Sequence, residues 1–285
     1  MNQQDYIKKL HCEILTIMDT IHNICKVNNL RYYLAGGSLL GCIRHKDFIP
    51  WDDDLDILMP REDFDKFMEI APDILSPNYE LFWYTTKPKY WKLFAKVSKK
   101  NTLFVESTDV PSDMQWGIFV DIFPLDETPA YSLKHKIIQK QVHQLGNLLG
   151  LKAYKPNTLS RFIKKIASLF LSRSYLQKEI YELSTSLAAE GNNYCCTFAS
   201  SYDIKKELSP VEWYGTPQLA PFRDRLYYIS AEANKILENQ YGKNYMELPP
   251  VEKRRTHYPV KVIFSDGEVF EQEKPKILLT VKTQE

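Results

Sequence analysis

The stretch from Leu34 to Met59, LAGGSLLGCIRHKDFIPWDDDLDILM, constrains this chain more than any other. An apolar stub runs into Gly36, Gly37 and Ser38, and the stretch closes on Asp52, Asp53, Asp54 and Asp56, followed by Ile57, Leu58 and Met59. Like charges gathered this closely repel, so stability does not account for them and a cationic partner does. A strand over Asp54-Leu55-Asp56-Ile57 would point both carboxylates to one face and Leu55 and Ile57 into a core. Carboxylate oxygens suit a hard divalent ion, Mg²⁺ or Mn²⁺. The competing reading, a solvated acidic loop, sits poorly with Trp51, Leu55, Ile57 and Leu58 around the acids.

A third carboxylate stands in Gly117-Ile-Phe-Val-Asp121-Ile-Phe-Pro124, isolated among residues of high strand propensity. Three acids on adjacent strands can hold two metals about 3.5–4 Å apart, an arrangement that clamps the attacking and leaving oxygens of phosphoryl transfer. Gly36 and Gly37 let backbone N–H groups approach an anion, and Ser38 adds a hydroxyl. A helix expected to open at Leu39 would aim its positive end at a phosphate.

The order GGS, spacer, WDDDLDI, then a lone Asp on a later strand resembles the nucleotidyltransferase superfold. The fuller string RHKDFIPWDDDLDI resembles the LicD family of phosphorylcholine transferases, to which the fukutin-related proteins are similar. A second block, YGKNYMELPP with Arg254, Arg255 and His257 after it, is similar to the C-terminal part of LicD proteins. The resemblance implies an α+β fold: a nucleotidyltransferase-like mixed β-sheet core flanked by helices at residues 1–129, then a mainly helical substrate or acceptor region at 130–259. Residues 260–285 are expected to form a β-hairpin tail turning at Ser265–Glu268. Two positions depart from the family pattern: Asp47, where a small residue is expected, and Pro221-Phe-Arg-Asp224, where a glutamate is expected beside the phenylalanine.

The activity implied is transfer of phosphocholine, or a similar phospho-alcohol, from a CDP-activated donor such as CDP-choline to a hydroxyl of a glycan or lipid-linked oligosaccharide, with release of CMP. Asp54, Asp56 and Asp121 are the expected catalytic metal ligands, for two Mg²⁺ or Mn²⁺ ions. Gly36, Gly37, Ser38, Arg44, His45, Lys46, Asp52, Asp53, Arg255 and His257 are the expected substrate-binding residues, the cations facing phosphate. A quaternary ammonium is recognised by aromatic faces, and Trp51, Trp83, Tyr84, Trp91 and Trp116 are candidates for it, although each also suits ordinary packing. A conventional nucleotidyltransferase releasing pyrophosphate would use the same glycines and aspartates. A non-catalytic nucleotide- or membrane-binding scaffold is the alternative outside enzymology.

The remaining chain sets bounds. Lysine plus arginine number 37 against 36 aspartate plus glutamate, so charge offers nothing for nucleic acid. The 5 cysteines form no CxxC pair and the first residues contain no uninterrupted apolar run, which points to free thiols in the cytoplasm. Apolar spacing predicts helices over residues 5–28, 61–71, 133–151, 159–171, 175–189 and 229–241. Strands are expected at 31–35 and on either side of a turn at Thr86–Lys89, and the run Pro124, Asp126, Pro129 reads as a domain boundary. The helix at 159–171 sets Arg161, Lys164, Lys165 and Arg173 beside apolar residues, a pattern that serves either peripheral contact with an anionic membrane or a solvated basic face.

Overall fold

A computed structural model describes residues 2–106, 114–153, 165–166, 168–254 and 259–272. A mixed β-sheet flanked by helices occupies the N-terminal region and a mainly helical region follows. The main path of the sheet runs β1 (Tyr33–Leu34), β2 (Asp56–Pro60), β6 (Phe119–Thr128), β4 (Ala95–Lys99), β3 (Tyr79–Phe82). β2 and β6 are parallel, and the other pairs along this path are antiparallel.

α1 (Gln3–Val27) covers the sheet with the apolar stripe its periodicity predicts, burying Ile14, Ile17, Met18 and Ile21 completely or nearly so. Each such side chain contributes about 1.5–3 kcal/mol. Polar contacts fix its register on the sheet: Lys99 pairs with Glu13, and the Tyr79 hydroxyl donates to the Thr16 carbonyl at 3.1 Å. α3 (Arg61–Ile74) begins directly after Pro60 with Glu62 and Asp63 in its first turn, and buries Phe64, Phe67, Met68 and Ala71 as expected. α2 (Gly36–His45) differs from expectation by opening at Gly36 rather than Leu39, so both glycines lie within its first turn.

Of the run expected to mark a domain boundary, Pro124 and Asp126 lie inside β6, which runs to Thr128, and Pro129 follows it directly. Proline is tolerated there because β4 pairs with Phe119–Ile122 and β7 (Tyr194–Cys196) begins only at Asp126, so the missing N–H of Pro124 faces a gap between two partners. Asp126, 1% exposed, receives the Arg61 guanidinium on both oxygens at 2.7 and 3.0 Å. Burial raises its pKa and Arg61 opposes the rise.

Beyond β6 come α4 (Leu133–Ala153), α5 (Arg173–Thr185), α6 (Ile204–Glu207), α7 (Val211–Tyr214) and α8 (Ala233–Tyr241). β8 (Ser209–Pro210) pairs with β7, and β9 (Gln218–Phe222) and β10 (Arg225–Ile229) form a hairpin that ends where the expected helix would have begun. Most of the predicted basic helix at 159–171 lies outside the described residues; of its described part, Leu169 and Phe170 are 67% and 86% exposed. The C-terminal hairpin, β11 (Lys261–Ile263) and β12 (Val269–Glu271), turns where expected and adds β5 (Leu103–Val105) to make three strands. Among the described residues no helix is long and apolar enough to cross a membrane.

Candidate active site

Register assembles the centre of the site. Asp56 of β2 sits beside Asp121 of β6, and Asp121 sits beside Lys96 of β4, so three ionisable residues form one row across three neighbouring strands. Strands at this spacing bring such side chains within reach of one another. Asp54, two residues before Asp56, continues the same face although the strand proper starts only at Asp56. Leu55 and Ile57 are fully buried on the other face, as the alternation requires. The Leu55 carbonyl accepts from the Asp121 amide at 2.9 Å and locks the pair of segments.

Asp52, Asp54, Asp56 and Asp121 line one groove of about 990 Å³. Asp53 turns inward, 1% exposed. Oxygen atoms of Asp52, Asp53 and Asp54 lie within 4.8 Å of one another, so this acidic cluster can also coordinate a divalent metal. The donor set is carboxylate oxygen throughout, the chemistry that Mg²⁺ and Mn²⁺ require.

Lys96 is the member of this row that the sequence concealed. It is 1% exposed, its Nζ lies 2.6 Å from Asp121 Oδ1, and it stands 3.3 Å from the Phe119 ring centroid. Burial raises the Asp121 pKa, Lys96 pulls it down, and the Asp54 charge pushes it up again.

The glycine turn faces these acids. Gly36 has φ +49°, and a Cβ there would stand 3.7 Å from the Tyr241 hydroxyl and 3.9 Å from Asp56 Oδ2. At Gly37 a Cβ would approach Asp52 Oδ2 to 2.6 Å, closer than any real side chain tolerates. Ala35 caps α2 without a side-chain hydrogen bond, so the first-turn amides are not covered by a cap. Ser38 is 4% exposed, and its Oγ accepts from the Asp56 amide at 2.9 Å, placing the strand rather than reaching into the groove.

The three expected cations separate. Arg44 lines the groove, but its Nη1 donates to the Tyr245 and Glu247 carbonyls and its Nε to His45 Nε2, so it fastens the C-terminal block to α2. Burial lowers its pKa. His45 lines a neighbouring cavity with His11 and Phe48, and Lys46 caps α2 in the left-handed conformation with φ +54°. Neither is brought into the groove. Arg255 and His257 lie outside the described residues.

Of the five aromatic candidates, Trp51 alone lines the groove, with the Arg254 guanidinium 4.4 Å from its ring centroid. Trp83 and Tyr84 stack over a separate cavity, and Trp91 and Trp116 are core. The groove's other aromatics, Phe94, Phe123, Tyr202, Tyr241 and Tyr245, come from segments whose convergence no local pattern announces.

The acidic loop is held from behind. The Asp52 carbonyl, which can only accept, takes a hydrogen bond of 2.8 Å from His11 Nε2, and the His11 ring stacks on Phe48 at 3.9 Å. Burial lowers the His11 pKa to about 4, so the imidazole is neutral with its proton on Nε2. The two positions expected to depart from the family pattern also meet: the Arg223 guanidinium reaches both oxygens of Asp47 at 3.1 Å, and the Arg223 amide donates to the Lys46 carbonyl at 2.5 Å.

The profile described as LicD/FKTN/FKRP, nucleotidyltransferase domain, matches residues 29–146, which contain the glycine turn, the acidic loop and Asp121. The chain is 30% identical over 265 residues to the lipopolysaccharide cholinephosphotransferase LicD of Haemophilus influenzae, covering 86% of this chain and 92% of that protein. An uncharacterized protein of Rickettsia prowazekii is 39% identical over 133 residues, 46% of each chain. The mouse and human ribitol 5-phosphate transferases FKRP are 50% identical over 40 residues, 14% of this chain and 8% of theirs. A match that runs almost end to end through one relative, together with the shared domain over the carboxylate row, places this chain in the LicD family of transferase enzymes.

Proposed function

We infer that this protein is a divalent-metal-dependent phosphotransferase that moves phosphocholine, or a similar phospho-alcohol, from a CDP-activated donor to a hydroxyl of a cell-surface glycan such as a teichoic acid, lipopolysaccharide or capsule precursor. One observation carries the reading: the Asp56–Asp121 row, extended by Asp54, shares a groove with Gly37 in the first turn of α2. Acids and helix amides so arranged provide for both halves of a metal–diphosphate complex. The Haemophilus relative is named for choline phosphate transfer and the mammalian ones for ribitol 5-phosphate, which supports an alcohol phosphate as the transferred group.

Asp54, Asp56 and Asp121 would hold the ions, two in number and Mg²⁺ or Mn²⁺ in kind. Bound there, the metal neutralises diphosphate charge and lowers the pKa of the acceptor hydroxyl. The α2 amides at Gly36 and Gly37 cradle the diphosphate. As the acceptor oxygen bonds to the phosphorus of the alcohol phosphate, the bond from that phosphorus to the CMP oxygen breaks. CMP departs as the phosphate anion, and the hydroxyl proton passes to a groove carboxylate, Asp121 if it is not itself engaged by the metal. Trp51 and the groove tyrosines are the aromatic surfaces available to a quaternary ammonium. Exposed Leu169 and Phe170, in the segment that carries Lys165 and Arg173, support a peripheral contact with an anionic membrane when the acceptor is lipid-linked.

Phosphorus NMR of the products tests the reaction, with CDP-choline, Mg²⁺ and water as surrogate acceptor. CMP and phosphocholine appearing together, and only with metal, are the expected result. Pyrophosphate formed from CTP and phosphocholine, with CDP-choline left intact, would identify nucleotidyl transfer instead.

A further inference from the structure

The groove wall beside the glycine turn is built from two distant pieces of chain, and one buried carboxylate lies behind both. Residues 199–202 bring in Tyr202, and the end of α8 brings in Tyr241. The two rings meet edge to face, 6.2 Å between centroids, and the Asp52 and Asp56 charges act on both hydroxyls. Neither tyrosine is fixed by its own helix or strand alone. Glu207, at the end of α6 and 4% exposed, accepts from Ser200 Oγ at 2.5 Å and shares the lining of one small chamber with the Gln240 side chain. Ser200 Oγ in turn accepts from the Tyr202 amide at 3.1 Å, while Gln240 immediately precedes Tyr241.

Burial of a carboxyl at this depth is unfavourable unless its bonds are used. It pushes the Glu207 pKa up to about 7. A chamber of about 50 Å³ separates Glu207 from Asp56, with Gly36, Ser200, Tyr202 and Gln240 among its walls. Gln240 Oε1 is buried without a hydrogen-bond partner among the described residues, which leaves that chamber polar and roomy enough for a water.

We propose that Glu207 is a positioning residue for the transfer reaction: by holding Ser200 and lining the same chamber as Gln240, it fixes the Tyr202–Tyr241 pair against the carboxylate floor of the groove. The chemistry assigned to the acids does not require Glu207, and no local motif marks it. The proposal rests on the phosphotransfer reading for its kinetic arm only.

A double-mutant cycle tests it, run below the melting transition of every variant. Glu207→Ala is expected to lower kcat/KM roughly 10- to 100-fold, the scale of a displaced binding group. In a Tyr202→Phe/Tyr241→Phe background the same substitution is expected to add less than about twofold, because its effect passes through the missing hydroxyls. Glu207→Gln, which can still accept from Ser200, is expected to stay within about threefold of the wild type. Fully additive losses, or a Glu207→Gln enzyme as impaired as Glu207→Ala, would overturn the proposal. Hydrogen exchange provides a readout without substrate: the Tyr202 amide is expected to lose protection in Glu207→Ala and keep it in Glu207→Gln, and unchanged protection in both would also overturn it. Should Glu207→Ala not fold, Ser200→Ala removes the Ser200 hydroxyl alone and must show the same non-additivity with Tyr202→Phe. A wild type inert toward CDP-alcohols would contradict the phosphotransfer reading and leave the exchange test of Glu207 intact.

Discussion

Asp54→Asn and Asp56→Asn are each expected to reduce turnover by roughly 10³-fold while the protein stays folded, the scale on which a single element of transition-state charge stabilisation acts. The two side chains stand on the exposed face of the segment whose other face, Leu55 and Ile57, carries the packing. Asparagine keeps the size and one oxygen but loses the charge that holds a hard cation. The position of the strand depends on the Ser38 Oγ bond to the Asp56 amide, which the substitution leaves in place. Removing one of several crowded carboxylates also relieves repulsion, so the melting temperature of each variant in the absence of metal is expected to equal or exceed that of the wild type. Steady-state assay and calorimetry check both halves. A variant that retains most of its turnover would refute the metal role of these acids.

Lys96→Met should produce the largest loss of stability, about 3–5 kcal/mol by urea denaturation, because it strands the Asp121 carboxylate where Lys96 and Asp121 are 1% and 6% exposed. The deficit is expected to shrink by more than half in Lys96→Met/Asp121→Leu, where no buried charge remains unpaired. That double variant would be inactive, since it lacks the third carboxylate. A single variant within about 1 kcal/mol of the wild type would show that the pair does not hold the centre of the sheet.

Where periodicity was strong the sequence was informative. α1, α3 and α4 lie where their apolar spacing puts them, because each buries a continuous apolar stripe. The alternation through Asp54–Ile57 and the isolation of Asp121 led directly to the carboxylate row, since an acid among strand-forming apolar residues is costly to bury and needs a cationic partner. Lys96 was concealed by the same alternation. Between Ala95 and Val97 it reads as a solvent-facing residue, and only the pairing of β4 with β6 turns that face inward.

The β9–β10 hairpin and the Tyr202–Tyr241 wall depend on contacts between segments far apart in the chain, which local spacing does not encode. The Asp47–Arg223 pair is the clearest case. Two residues singled out separately in the sequence, 176 positions apart, are brought together only by the fold. Pro124 is accommodated inside β6 for a similar reason: its missing N–H falls between the stretches that pair with β4 and with β7.

Binding of CDP-choline, CDP-ribitol, CDP-glycerol and UDP-glucose, measured by calorimetry with Mg²⁺ present and Asp54→Asn as the control, tests the central claim most directly. Metal-dependent binding of one or more CDP-alcohols, with CDP-choline preferred and all of it lost in Asp54→Asn, is the predicted result. Equal indifference to all four nucleotides, or CDP-choline binding that survives both the removal of Mg²⁺ and the loss of the Asp54 carboxylate, would contradict it.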